Sequence, residues 1–218
     1  RLRLLAIGWR WFGVLGDSVL VIFEVLVEDA SFFIMLLVIQ FKPDVAGSLG
    51  IKTITPAMGR TAFNVLHRNK LVPGLKNGEF DEAKFLQWYK LAEDMAVKYD
   101  MKYVVDFYIG YMLFNAMGDY DGFCLPEKLA DFLNEDKHEI IRKGFALQAY
   151  NALGVHFVDA NASAKNSASK KYEEKAESAD DLGYVTLAGM FREIALAFHD
   201  EAAGVKLRFE MRKNGLLD

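Results

Sequence analysis

The sequence predicts an all-α protein, a multi-helix array or bundle that ends in an antiparallel helical hairpin. Apolar residues recur three and four positions apart in most segments, which is the period of a helix with one buried face. Capping residues and prolines stand where these segments begin and end. The last third carries two such stripes separated by a short turn, the pattern of two antiparallel helices.

The first apolar segment has two interpretations. Its many Val and Ile residues favour strands, with a hairpin turning at "VEDAS". Against this, Asp29 is a good N-cap for a helix over Ala30 to Phe41, Pro43 would end that helix, and Asp17 could cap a preceding one. We favour two short buried helices within residues 1–45, and the strand hairpin stays open at this point.

The run from Ala30 to Phe41 also raises the question of a membrane. It has only 12 residues, whereas a membrane-spanning helix needs roughly 20. Extending it backwards brings in Glu24, Glu28 and Asp29, which are costly in lipid. A buried core helix is therefore the favoured interpretation, and a subunit anchored to a membrane through residues 18–41 is an alternative.

The middle of the chain predicts a loop over residues 46–55 and then a helical core over residues 56–152. Thr55 before Pro56 indicates a helix start, and Asp81 caps a later helix. "VPGLKNGEF" indicates a turn, and "MKYVVDFYIGYMLFNA" indicates a central buried helix because it is apolar on nearly every side. Residues 153–164 are expected to form a polar loop.

Residues 165–218 give the clearest prediction, a helical hairpin. The stripe of the first helix is narrow and consists mainly of small residues, and the stripe of the second helix contains large and aromatic residues. Gly183 lies in the turn between the two helices. Small residues on one helix allow close approach to large residues on the other. The first stripe comprises Ala168, Tyr172, Ala176 and Ala179, and the second includes Leu187, Phe191, Ile194, Phe198, Ala202 and Val205.

Composition limits the function classes. The chain of 218 residues is 52% hydrophobic with 13% aromatics, which excludes disorder for most of its length. Its net charge of −4 lowers the expectation of a nucleic-acid partner. The single cysteine, Cys124, cannot form an internal disulfide, so a reducing, cytoplasmic location is expected.

"MGDYDGFCLP" resembles part of a calcium loop but lacks its chelating end. With Asp119 and Asp121 at the third and fifth positions of such a loop, the twelfth position holds Lys128, where a bidentate Glu is required. The segment is therefore predicted to be a turn, with Gly122 at positive φ.

Metal-ligand patterns are sparse, and neither a metal nor any other cofactor is expected. A di-metal helical bundle needs Glu-x-x-His on two helices, and "EDKH" supplies Glu135 and His138 only once. Glu24 and Glu28 share a helix face within an apolar segment and are the other candidate ligands. Their alternative role is capping and ion pairing.

One pair of residues fits the chemistry of an RNA-cleaving helical bundle. Arg60 and His67 in "RTAFNVLH" are seven residues apart, almost two helical turns, so they share a face. An arginine could hold the scissile phosphate and a histidine could act as general base. Such pairs also arise by chance, and no other catalytic motif accompanies them.

Several motifs from Glu28 to Ala203 resemble the helical C-terminal region of large, mostly uncharacterised bacterial proteins. They are "EDASFFIMLLVIQFKPD", the Trp-bearing helix "FLQWYKLAEDMA", "IGYMLFNAMGDYDGFCLP" and "GFALQAYNALGV" followed by "LAGMFREIALAFHDEAA". That pattern usually has Trp at the position of Cys124, Arg near Leu153 and a Gly-Gly pair within the loop "ANASAKNSAS". The resemblance implies a helical region attached to a larger machine and no particular reaction.

These observations favour a non-enzymatic interaction or scaffold region of a larger cytoplasmic assembly. Its expected partner is a protein or the rest of a larger chain, with no nucleic acid and no membrane. The alternatives are an enzyme, either an RNase-type bundle using Arg60 and His67 or a metal-dependent one using Glu24 and Glu28, and the membrane-associated subunit.

Overall fold

The computed structural model describes residues 19–118, 123–154 and 159–216. It confirms the all-α prediction, since the described residues form α-helices, three short 3-10 helices and one two-stranded ribbon. The chain divides between Ala116 and Met117 into two compact units. The helices are α1 Val19–Glu28, α2 Ala30–Phe41, α3 Pro56–Arg68, α4 Glu82–Lys98, α5 Lys102–Leu113, α6 Glu127–Asn134, α7 Glu139–Asn151, α8 Ser163–Asp181 and α9 Val185–Lys213.

From Val19 onward, where the structure describes it, the apolar N-terminal segment forms the two helices α1 and α2 in place of a strand hairpin. Asp29 caps α2 as predicted, because its side chain accepts a hydrogen bond from the Ser31 N–H at 2.9 Å. Nine of the twelve residues of α2 are buried, so it is the central helix of the first unit, and it packs against α3 and α4. The Trp88 indole N–H donates to the Leu26 carbonyl at 3.2 Å and links α4 to α1.

Helix α3 begins where the sequence predicts. The Thr55 hydroxyl accepts from the Met58 N–H at 3.3 Å, and Pro56 occupies the first turn. Part of the segment before it is helical where a loop was predicted, because residues Pro43–Leu49 form a 3-10 helix. Pro43 favours this helical turn because the φ of proline is already close to the helical value. The glycines of the segment favour a loop, which is why the sequence alone predicts one.

A tight ribbon leads into α4. Strand β1 (Leu75–Lys76) pairs antiparallel with β2 (Glu79–Phe80) around Asn77 and Gly78, which both have positive φ. This is the Asn-Gly turn that favours a two-residue hairpin. The Asp81 side chain then caps α4 through the Lys84 N–H at 3.1 Å.

The second unit ends in the predicted helical hairpin, formed by α8 and α9. Gly183 turns the chain at φ 84°. Tyr172 of α8 stacks on both Phe191 and Phe198 of α9, at centroid distances of 6.2 and 5.9 Å. The Ser169 hydroxyl donates to the Ala195 carbonyl at 2.9 Å inside this contact. Both predicted stripes therefore lie in one seam.

Two polar side chains tie α6 to its neighbours. The Asn134 side-chain oxygen accepts from the N–H groups of Thr186 and Leu187, at 3.0 and 3.2 Å, so it caps α9 from another helix. Arg142 is buried and donates to the carbonyls of Leu133 and Glu135, at 2.7 and 2.6 Å, at the end of α6. Both contacts satisfy helix-end backbone groups that would otherwise lack partners.

Within the described residues, no helix combines the length and apolarity needed to cross a bilayer. The segment proposed as an anchor consists, from Val19 onward, of two helices of 10 and 12 residues. The turn predicted at Asp119–Gly122 and the cap predicted at Asp17 lie outside the described residues.

Candidate functional site

The most distinctive surface of the first unit is a band of touching rings, which we call the aromatic surface. Its rings come from three helices. Phe41 is the last residue of α2, Phe63 and His67 belong to α3, and three further rings belong to α5. Consecutive ring centroids lie between 4.0 and 6.3 Å apart. The aromatic surface comprises Phe41, Phe63, His67, Tyr103, Phe107 and Tyr108.

The band is open to solvent at its edges. Phe41 is 46% exposed, Phe63 is 51% exposed and Tyr103 is 61% exposed. His67 and Tyr108 are partly buried between them. Scattered exposed apolar residues are normal, but contiguous exposed apolar area indicates a binding surface.

Helix α3 presents its share of this surface because of its spacing. Its buried face consists of Met58, Ala62, Val65 and Leu66, which recur at intervals of three and four. Residues Arg60, Phe63, Asn64 and His67 recur at the same intervals on the opposite side. One helix therefore holds a cation, two rings and an amide in a row facing away from the core.

His67 is fixed at the centre of the band. Its ring stacks on Phe63 at 4.0 Å and meets Tyr108 and Tyr111 edge-on at 5.8 and 5.5 Å. Its Nδ1 lies 2.9 Å from the Phe63 carbonyl oxygen. A carbonyl only accepts, so Nδ1 carries the hydrogen and Nε2 of the neutral ring keeps a lone pair.

Tyr108 of the band and the neighbouring Tyr111 carry neutral hydroxyls at physiological pH. Burial raises the pKa of Tyr108, and the neighbouring Tyr111 adds to the shift. Burial likewise raises the pKa of Tyr111. The band therefore offers uncharged ring faces and O–H groups, which suit apolar or hydrogen-bonding contacts.

A shallow, open depression of about 510 Å³ lies beside the band. Its walls come from the end of α2 and the outer face of α3, and the Gln40 side chain crosses between these helices by donating to the Gly59 carbonyl. The residues that line it are Ile39, Gln40, Gly59, Arg60, Phe63 and Asn64. Arg60 is exposed there, so its guanidinium can bind a carboxylate or a phosphate.

The structure places the two predicted catalytic residues, Arg60 and His67, on the same outer face of α3, separated by about 10 Å along the helix axis. Only Arg60 lines the depression. His67 is engaged with three rings. The two side chains therefore share one face of α3.

The candidate metal ligands form no metal site among the described residues of either unit. Glu24 and Glu28 are exposed on α1. Glu135 is exposed, and the hydrogen bond that its carboxylate accepts from Lys137 lowers its pKa. His138, in contrast, is buried against Phe132 at a ring distance of 3.8 Å. Nowhere in the described residues do three His, Cys, Asp or Glu side chains stand together as a metal site.

The sequence offers Arg60 and His67 as candidates, and it gives no sign of the rings that surround His67. The motif "YVVDFYIGY" predicts a central buried helix, yet Tyr103 of this helix is exposed. A charge signal was also present. Residues 42–76 hold six Lys and Arg against one Asp, in a chain whose net charge is −4.

Comparison with known proteins adds no identity. No protein-family model, no curated protein and no solved structure matches this chain.

Proposed function

We propose that this chain is a protein-interaction region of a larger cytoplasmic assembly, and that its aromatic surface is the contact surface. The observation that carries the proposal is the continuous band of rings from three helices, with half-exposed Phe41 and Phe63. Aromatic residues and arginine are enriched at the buried centres of protein interfaces.

The energetics of binding favour this role. A few aromatic or arginine anchors supply most of the affinity in typical interfaces, at about 2 kcal/mol or more each. Phe63 is held by stacking on His67, and a ring that is already fixed loses little conformational freedom on binding. A rigid, half-exposed ring beside an exposed arginine is thus a suitable anchor.

A second candidate function is RNA cleavage at the same face. Its support is the shared face of Arg60 and His67 together with the lone pair on His67 Nε2, which could accept a proton from a ribose hydroxyl. A labelled RNA incubated with the wild type, Arg60→Ala and His67→Ala tests it. Cleavage by the wild type that both variants lose would support the enzyme, and no cleavage would reject it.

In-cell photo-crosslinking tests the interaction proposal. A benzoylphenylalanine replaces Phe63 in one strain and Val97 in another. Val97 is a matched control because it is apolar, 66% exposed and in the same unit. We expect a discrete protein adduct from position 63 that position 97 does not give. Equal adducts from both positions, or none from position 63, would reject the aromatic surface as the contact surface.

A further inference from the structure

We propose that the partner of the aromatic surface is an acidic peptide segment that carries aromatic or aliphatic anchors. The inference rests on the proposed function and adds the chemistry of the partner. The rings alone do not specify the charge of the partner, so the inference depends on the charged residues beside them.

Two arginines of α3 have no acidic partner among the described residues, and one of them, Arg60, lies on the same face of the helix as Phe63 and His67, whereas Arg68 is turned about 100° away from His67. Arg60 is three residues before Phe63, and Arg68 directly follows His67. Both are exposed, and neither forms an ion pair within the described residues. Exposed cations beside an apolar surface attract a partner of opposite charge and fix its register.

The sequence around α3 also has an excess of positive charge. Residues 42–76 carry a net charge of +5, from six Lys and Arg and one Asp. Elsewhere on the chain, lysines are commonly paired, as in Lys90 with Asp94 at 2.7 Å and Lys143 with Glu139 at 2.6 Å. Lys42 is likewise paired, with Asp100, so Arg60 is the exposed cation beside Phe63 that no described carboxylate neutralises.

A peptide fits these charges better than a nucleic acid does. Single-stranded RNA requires a positive groove that follows its phosphates. Here Lys42, next to Phe41, is already paired with Asp100 at 3.0 Å, and the Asp100 side chain is 98% exposed. This exposed carboxylate repels any anionic group, so a peptide would place its acidic side chains toward Arg60 and an apolar anchor on Phe41, whereas a nucleic acid carries a phosphate at every nucleotide.

The depression beside Phe63 gives such a segment a place for one acidic side chain. Arg60, Gln40 and Asn64 line it. A carboxylate can accept two parallel hydrogen bonds from a guanidinium, and the amides can bond the peptide backbone. The anchors of the same segment would cover Phe63 and Phe41.

A phage-displayed library of random 16-residue peptides, selected on the whole chain, tests the proposal. We expect the enriched peptides to carry a net charge of −3 or more negative and at least two aromatic or aliphatic residues. Labelled copies of the best peptide are then titrated by fluorescence anisotropy. We expect Phe63→Ala to weaken binding by about 10-fold or more and Arg60→Ala by about 3-fold to 10-fold.

Lys206→Ala is the matched control, since Lys206 is an exposed cation of the second unit, and we expect it to leave the affinity unchanged. Neutral or basic peptides that bind in a Phe63-dependent way would overturn the acidic partner while the proposed function stands. No enrichment, or binding indifferent to Phe63→Ala, would overturn both. A 12-nucleotide oligo(U) that binds more tightly than the best peptide, and depends on Phe63, would assign the surface to nucleic acid instead.

Discussion

Phe198→Ala should destabilise the second unit by about 3–4 kcal/mol. Phe198 is 1% exposed on α9 and lies between two rings, Tyr150 at 5.1 Å and Tyr172 at 5.9 Å. The side chain thus contributes to the seam with both α8 and α7. Its removal affects three helices at once.

The magnitude follows from burial and the cavity left behind. Fully burying a phenylalanine is worth about 2–3 kcal/mol of transfer free energy. If about 50 Å³ remains empty after relaxation, the cavity adds about 1 kcal/mol at 24 cal/mol per Å³. The total is a large fraction of the stability of a domain, which is about 5–15 kcal/mol.

Urea denaturation followed by circular dichroism measures the loss, and hydrogen exchange of peptides from residues 163–213 localises it. Leu196→Ala is the matched control on the same helix, because Leu196 is 59% exposed, and it should cost less than about 0.5 kcal/mol. Phe198→Leu retains part of the apolar volume and should fall between the two.

A loss below about 1 kcal/mol for Phe198→Ala would refute the packing argument. If that variant also lost association with a partner, the stripe of α9 would be an interface and not a core. Faster exchange in α8 and α9 together is the signature that the seam is cooperative.

Three further outcomes are expected. Asn134→Ala should lower the free energy of unfolding by about 1–2 kcal/mol because it removes the cap of α9, whereas Asn134→Asp keeps an acceptor and should cost less in the same urea titration. Gly74→Ala should lower the melting temperature more than Gly78→Ala does. Both glycines have positive φ, but only at position 74 would a Cβ lie 2.7 Å from the Asp81 carbonyl oxygen. Equal losses in melting temperature would contradict this close approach. Burial raises the pKa of Tyr172, so above about pH 10 the unfolded state loses a proton that the folded state keeps, and stability falls as pH rises. Tyr172→Phe should flatten that fall in urea titrations between pH 9 and 11, and an unchanged slope would contradict it.

The parts of the fold predicted from sequence are those governed by local chemistry. Asp29, Thr55 and Asp81 cap the helices that they were expected to cap, because a cap depends on residues within one turn. The hairpin was predicted because the spacing of Phe191 and Phe198 persists over several turns.

The aromatic surface could not be predicted in this way because it combines three helices. Phe41, Phe63 and Tyr108 each look like core residues in their own segments, and only the packing of α2, α3 and α5 brings their rings to one exposed band. The burial of Arg142 depends likewise on carbonyls six to nine residues away. Periodicity indicates which side of a helix is apolar, and tertiary packing decides whether that side is covered.

In the proposed function, the exposed rings of the aromatic surface bind a partner and contribute little to the stability of the fold. The most direct measurement places benzoylphenylalanine at Tyr103, at the exposed edge of the aromatic surface, in a chain that carries Phe41→Ser and Phe63→Ser. Crosslinked adduct and free energy of unfolding are measured on the same variant. We expect the adduct formed from position 103 to disappear while the free energy of unfolding changes by less than about 1 kcal/mol. An adduct that persists without both rings, or a much larger loss of stability, would contradict the proposed role of the aromatic surface.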